Sequence, residues 1–318
     1  MKAIILNQTG GVENLIVSEV PAPELKPQDV LVRVKAISIN PVDAYLRANE
    51  SAHPHFLQTG PDEKPIILGW DISGEVKSVG SSVTNFKEGD EVFGMVNFPG
   101  HGKAYAEYTS APASQLAKKP VSVSFEEAAG ATLAALTAYQ SLVIYAQIKA
   151  GDKVLIHAAA GGVGHFAVQL AKAFGAYVIG TASSANRDFV LSLGADEFID
   201  YQNEKFEEIV TDADIIIDSQ YGNHVERSVQ SLKKGGRLIS LLTPVYEELQ
   251  TALTEKHAFY HQLLVQSNGE DMQALAALME SGKLKTHVSK IVEFGQMDEA
   301  HRQIETRTTR GKVIVKGI

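Results

Sequence analysis

Two rhythms of apolar and polar positions divide this chain. Over about the first 120 residues the apolar positions come in short runs with partial alternation. Val30-Leu31-Val32-Arg33-Val34-Lys35-Ala36-Ile37 and Asp71-Ile72-Ser73-Gly74-Glu75-Val76 are the clearest, and their β-branched content predicts strands. The opening Met1-Lys2-Ala3-Ile4-Ile5-Leu6 reads as a first strand, too short and too weakly charged for a signal peptide. Gly80-Ser81-Ser82 and Lys87-Glu88-Gly89-Asp90 are turn clusters, and Pro21, Pro23 and Pro27 stiffen the early connection. This half predicts a β-rich unit.

The texture changes at Ser124. Ser124 with Glu127 forms a capping-box pattern, and the alanine-rich stretch to about Ala146 predicts one helix. Strands then alternate with helices. Lys153 to His157 predicts a strand and Gly164 to Phe174 a helix with Phe166, Leu170 and Phe174 on one face. Tyr177 to Gly180 is the next strand and Arg187 to Leu193 the next helix. Glu197 to Ile199, Ile215 to Asp218 and Arg237 to Leu241 are further strands. Strands and helices in alternation with glycine-rich joints predict a doubly wound parallel sheet. A helix over Met272 to Met279 and a strand over Lys312 to Val315 close the chain. That last strand is expected to return to the first domain.

Composition narrows the function classes. At 318 residues the chain exceeds what one core usually serves, so two domains are expected. It has no cysteine, which removes disulfides, thiolate metal ligands and a cysteine nucleophile, and favours an intracellular, cytoplasmic address. The net charge of −9 disfavours nucleic acid as a partner, and no apolar run is long enough for a membrane span.

The candidate chemistry starts at His157-Ala158-Ala159-Ala160-Gly161-Gly162-Val163-Gly164. A glycine-rich turn between a strand and a helix lets backbone N–H groups approach a pyrophosphate, and the helix points its positive end at that charge. Against the pattern G-x-G-x-x-G only the first glycine is replaced, by Ala159. Gly161 keeps the place of closest approach, and Gly164 keeps the place of helix–strand packing. A dinucleotide is therefore expected. At the end of the second strand an NAD site usually carries an acidic residue, about 20 residues on. Here Gly180-Thr181-Ala182-Ser183-Ser184-Ala185-Asn186-Arg187 has hydroxyls and a cation and no carboxylate. That composition suits a 2′-phosphate, so NADPH is expected over NADH. Arg187 is equally well read as a solvated residue in the helix's first turn.

These residues, with others, carry a family likeness. Ser38-Ile39-Asn40-Pro41-Val42-Asp43-Ala44-Tyr45-Leu46-Arg47, Gly69-Trp70-Asp71-Ile72-Ser73-Gly74 and Gly89-Asp90-Glu91-Val92-Phe93-Gly94 are followed by Leu136-Thr137-Ala138-Tyr139, the Ala158-to-Gly164 loop, Gly194-Ala195-Asp196 and Gly311-Lys312-Val313. In this order they span nearly the whole chain, which resembles the zinc-independent branch of the medium-chain dehydrogenase/reductase superfamily, the quinone oxidoreductase group. In that branch an alanine before the glycines is usual. The resemblance implies an α/β protein in which a Rossmann dinucleotide-binding domain, 121–264, is inserted into a β-rich GroES-like catalytic domain, 1–120 plus 265–318. It implies cofactor contacts from Thr137, Ala160, Gly161, Gly162, Val163, Ser183, Tyr201, Leu241, Leu242 and Thr243, which join Gly164, Ser184 and Arg187 from the reading of the loop and second strand, and it implies a homodimer. Tyr201 is equally an ordinary strand-end tyrosine.

The resemblance also bears on metal. Zinc-using relatives need a cysteine in the early loop and a histidine–glutamate pair, where this chain has Trp70-Asp71, and they add a lobe of four cysteines. No metal is expected, His53 and His55 included. Without a Lewis acid the acceptor should already take hydride readily, as a quinone or an α,β-unsaturated carbonyl does, with hydrogen-bond donors stabilising the oxyanion. Asn40 is the expected oxyanion donor, and Tyr45 the expected partner of the cofactor or proton source. Asn40 is equally a turn residue before Pro41. A second tyrosine of some relatives corresponds to a place near Ser51, which leaves the proton donor open and keeps a non-catalytic NADPH-binding sensor or structural protein as the alternative. The loops 49–64 and 96–105, the latter with Phe98, His101 and Tyr105, are read as setting specificity and covering the acceptor, and equally as surface loops of variable length.

Overall fold

The computed structural model describes residues 1–58 and 64–318. They form two compact units, Met1–Leu136 with Val265–Ile318, and Thr137–Leu264.

The first unit is β-rich for the reason the alternation gives. Val30, Val32, Val34 and Ala36 are fully buried along the strand Asp29–Ile39, while Arg33 between them is exposed. That strand pairs antiparallel with Asp71–Val79, Tyr108–Pro112 and Lys312–Lys316. The chain's last strand thus lies beside one of its first, and Val288–Glu293 runs parallel beyond it. Glu91–Met95 and Ala117–Lys118 extend the sheet from Asp71–Val79. Lys2–Leu6 belongs to a separate sheet, between Leu15–Glu19 and Ile66–Ile67.

The second unit is a sheet of six parallel strands. From edge to edge they are Glu197–Asp200, Tyr177–Ala182, Lys153–Ile156, Ala213–Asp218, Leu232–Ser240 and Phe259–Gln262. In chain order this is third, second, first, fourth, fifth, sixth, the arrangement of a dinucleotide-binding fold. The centre is apolar on both faces, with Val154, Leu155, Ile156, Ile216 and Ile217 at most 1% exposed, because helices cover both sides of a parallel sheet.

Two expectations need correction. The alanine-rich stretch is not one helix: it breaks into Phe125–Gly130 and Leu133–Tyr139, and continues as a wider π-turn over Gln140–Tyr145. The capping box at Ser124 and Glu127 forms as read. The break follows because Thr132 Oγ1 donates to Ala129 O at 2.7 Å and Leu133 N–H leaves the helix for Asp71 Oδ1 at 3.0 Å. The same contacts move residues 121–136 out of the nucleotide-binding unit and into the first. Phe125–Gly130 packs on five strands of the first sheet, with Ser73 Oγ on Phe125 O and Thr286 Oγ1 on Glu127 O. The strand Phe259–Gln262 and the helices His224–Ser231, Glu247–Lys256 and Met297–Glu305 went unread. They are short or largely polar, so their apolar period is weak.

Candidate active site

Parallel register gathers one set of expected residues at one edge of the second unit. Gly180 pairs with Ile156, Ala182 with Asp200, Ile156 with Ile217, and Asp218 with Ser240. The segments that follow these strands therefore emerge side by side: Ala160–Gly164, Ser183 and Ser184, Tyr201, and Leu241–Thr243. Ligands of open parallel sheets bind at this carboxyl edge.

Packing explains the shape of the glycine loop. A Cβ on Gly164 would stand 2.2 Å from Ala158 O and 2.8 Å from Ala159 Cα, so only glycine lets the helix start so near the loop. Ala159, where the pattern wants glycine, is fully buried, and a Cβ on Gly180 would fall 2.9 Å from its Cβ. The missing glycine of the loop is supplied across the sheet, by the neighbouring strand. Ala159 N–H then bonds Thr181 O at 2.9 Å, and Gly161 N–H turns back to Ala158 O at 2.8 Å. Among the described residues, no protein acceptor is found for the N–H groups of Gly162, Val163 and Gly164. Those donors open the helix Gly164–Ala173, so loop and helix dipole together favour a pyrophosphate.

At the end of the second strand, Ser183 Oγ accepts from Asn186 Nδ2 at 3.1 Å, and Ser184 is exposed. Tyr201 is 57% exposed, and its backbone N–H reaches Ala182 O, which brings its backbone alongside the start of Ser183. Arg187 opens its helix, exposed, with the guanidinium over the Phe198 ring at 5.4 Å. No carboxylate stands in 183–187. Across the sheet, Leu241 N–H bonds Asp218 O at 2.9 Å, and Thr243 is held by Ser240 Oγ and Gln220 O. Thr137 is buried near the end of Leu133–Tyr139.

A brace beneath the loop went unseen in the sequence, because its members lie far apart along the chain. His157 Nδ1 meets Thr181 Oγ1 and its Nε2 meets Ser228 Oγ, both at 3.1 Å. Ser228 donates to Asp218 Oδ2 at 2.7 Å, and His224 Nδ1 lies 3.0 Å from the same oxygen. Burial pushes His157 down to about 3, which keeps it neutral. Burial alone would raise Asp218, but the bonds from His224 and Ser228 and the adjacent imidazoles hold it below its ordinary value. The ligand-type atoms of His157, Asp218 and His224 lie within 4.8 Å of one another. Each already has a protein partner, and the Ser228 hydroxyl joins two of them, so the cluster is complete as hydrogen bonds.

In the first unit the expected pair separates. Tyr45 is 50% exposed and packs edge-on to Phe56. Asn40, expected to donate to an oxyanion, is 1% exposed and its amide is already committed. Nδ2 donates to Asp71 Oδ2 at 2.7 Å, and Oδ1 accepts from Lys312 Nζ at 2.6 Å. Asn40 is thus a structural hub, its amide tied to Asp71 on one side and to Lys312 on the other. Asp43 caps it from below, Oδ2 accepting Asn40 N–H at 2.7 Å. Burial, reinforced by Asp71, raises Asp43 to about 7. Burial also raises Asp71 and lowers Lys312, against their mutual attraction.

The loop 96–105 is built differently from a lid. Phe98 and Tyr105 are buried: Phe98 lies edge-on to Trp70 at 5.0 Å, and the Tyr105 hydroxyl meets His301 Nε2 at 3.1 Å. His101 bonds the Ile67 backbone. These side chains anchor the loop and are not free to cover an acceptor. Part of the other expected specificity loop, 49–64, lies outside the described residues. His53 is buried on Leu46 O at 2.8 Å in the turn His53–Phe56.

Comparison with known proteins places this geometry. Residues 26–121 match the family model described as alcohol dehydrogenase GroES-like domain, and 193–315 the one described as zinc-binding dehydrogenase. An NADPH-dependent alkenal/one oxidoreductase of Arabidopsis thaliana is 35% identical, the match covering 99% of this chain and 79% of that protein. The structure of a quinone oxidoreductase from Coxiella burnetii superposes with a TM-score of 0.91 at 38% identity, covering 100% of this chain and 99% of that one. A mycobacterial protein solved in complex with NADPH gives a TM-score of 0.85 at 28% identity, covering 99% and 100% of the two chains.

The description of the second model implies zinc, and the residues present do not fit it. There is no cysteine. Trp70 is fully buried, its Nε1 donating to Gly100 O at 2.7 Å, and an indole N–H is no ligand. Asp71 is engaged by Asn40 and Leu133, and the Lys312 ammonium lies 4.0 Å from it. A cation of the protein's own occupies the surroundings a metal would need.

Proposed function

Given that the chain belongs to the medium-chain dehydrogenase/reductase superfamily, in its quinone oxidoreductase group, we propose that it is an NADPH-dependent reductase of quinones or α,β-unsaturated carbonyls that works without zinc. The observation that carries the reading is the carboxyl edge of the parallel sheet, with free N–H donors at the loop and hydroxyls, a cation and no carboxylate at the second strand.

The residues fit the cofactor part by part. Gly162, Val163 and Gly164 offer their N–H groups to the pyrophosphate, with Ala160 and Gly161 shaping the approach. Ser183, Ser184 and Arg187 take the 2′-phosphate, and Tyr201 stacks beside them. Leu241, Leu242 and Thr243 with Thr137 border the nicotinamide end. When bound, NADPH supplies a hydride. The acceptor takes it at an electrophilic carbon, an electron pair moves to the carbonyl oxygen, and a proton completes the reduced product. The exposed Tyr45 hydroxyl or water is the source of that proton in this reading.

An anaerobic panel of quinones and enones with NADPH, followed by cofactor absorbance, tests the reading. Steady turnover with at least one class is expected, in protein stripped of metal by chelation as well. Binding of NADPH with no turnover of any acceptor would leave only a cofactor-binding protein.

Two further readings accompany it. The edge strand Phe259–Gln262 pairs on one side only and leaves Phe259 41% exposed, which favours a second copy pairing there. Light scattering should give the mass of a dimer, and a monomer mass would end that reading. A cytoplasmic address rests on the cysteine-free composition; among the described residues no helix is long and apolar enough to cross a membrane. Fractionation of the source cells would place it.

A further inference from the structure

The buried charges of the first unit have a use beyond filling the place of a metal. Lys312 opens the last strand at 2% exposure, among Val313, Ile314 and Val315, which are fully buried. A strand end of this kind is ordinarily apolar, since a buried ammonium is costly unless it is paired and bonded. Here it is both. Its Nζ donates to Asn40 Oδ1 at 2.6 Å, lies 3.4 Å from Ile39 O, and stands 4.0 Å from Asp71 Oδ2.

The chemistry of these groups fixes the Asn40 amide. Lys312 only donates, so it requires the amide oxygen, and the Asp71 carboxylate accepts, so it requires the nitrogen. Asp71 in turn spends its other oxygen on Leu133 N–H at 3.0 Å. Stretches from the beginning, middle and end of the chain are thereby tied at one point. Asn40 is the residue before the helix Pro41–Ala48, on which Tyr45 sits, and Leu133 starts the helix that contains Thr137.

We propose that Lys312 is a positioning residue for hydride transfer: through Asn40 and Asp71 it sets the starts of the two helices that carry Tyr45 and Thr137. The inference rests on the proposed function.

The test begins with the wild-type acceptor panel, because no turnover there refutes the reductase reading and leaves positioning aside. In an active enzyme, Lys312→Met is expected to lower kcat at least tenfold while the NADPH Kd, read by fluorescence, changes less than twofold. With NADPH deuterated at the transferred position, the isotope effect on kcat should rise as hydride transfer becomes limiting. Lys312→Met leaves a carboxylate unpaired and can fail to fold. The double variant Lys312→Met/Asp71→Asn removes both charges and carries the test in that case, with the same loss of kcat expected in a folded protein. A folded double variant with wild-type kcat and isotope effect overturns the proposal. So does a double variant that cannot fold, which would make the cluster a structural lock only.

Discussion

Gly164 offers the sharpest test of how this protein holds its nucleotide. Replacing it with alanine would place a Cβ 2.2 Å from Ala158 O, 2.9 Å from Ala158 C and 2.8 Å from Ala159 Cα. Comfortable contacts to carbon are about 3.5 Å, so the loop and helix must part by roughly 1 Å. All the opposing atoms are backbone, so no rotamer change relieves the clash. Overpacking of this kind costs about 1–3 kcal/mol, against about 1 kcal/mol gained from alanine's better helix propensity. The net loss of stability should therefore be modest, at most about 2 kcal/mol by the same figures. The functional loss is larger, because the displaced atoms are those that carry the N–H donors. A hydrogen bond to a charged group contributes about 1.5–3 kcal/mol, so losing one weakens NADPH binding roughly 10- to 100-fold. Calorimetric titration with NADPH, next to a thermal melt, reads both quantities. Gly161→Ala separates the two effects, since its Cβ would meet only Ala158 O, at 3.2 Å: the melt should barely change, while NADPH binding weakens because the place of closest approach is filled. If Gly164→Ala binds NADPH within twofold of the wild type, the loop does not hold the pyrophosphate as described.

Further predictions follow from charge and burial. Arg187→Glu should weaken NADPH binding roughly tenfold, the value of an exposed, screened charge contact, and leave NADH nearly unchanged; equal loss for both coenzymes would count against a 2′-phosphate role. Asp43 titrates near 7 in the folded chain against an ordinary 3.8. The folded state therefore keeps a proton that the unfolded state has released. Stability from this group is greatest below the ordinary value and falls as pH rises toward about 7, by up to about 1.4 kcal/mol per pH unit. Asp43→Asn should flatten that decline in melts taken between pH 5 and 8, and an unchanged slope would refute the burial argument. His157 has the opposite sign. Its folded value of about 3 lies below the ordinary 6.5, so its contribution is full above that value and is lost as pH falls toward 3. His157→Asn should make the melting temperature less sensitive to acid, and an equally steep acid limb in the variant would remove the brace from the account.

The sequence alone determined what local pattern can determine. Alternation along Val30 to Ile37 specified a strand, because side chains of a strand face opposite sides at every step. The glycines of 161–164, set between a strand and a helix, specified a phosphate turn, because close backbone approach tolerates no Cβ. The absent carboxylate in 183–187 pointed to the phosphorylated coenzyme, since like charges repel. These signals live within a few residues of one another. What the tertiary structure decided depends on partners distant in the chain. Ala159 could be judged only beside Gly180, whose missing Cβ makes room for it. The break at Thr132 could not be read from an alanine-rich run, because its cause is Asp71 on another strand. Asn40 looked like a free donor until Asp71, from another strand, was found on its nitrogen. Burial is a property of the assembled fold. A polar residue's role depends on which of its atoms the fold has already used, and no window of sequence records that.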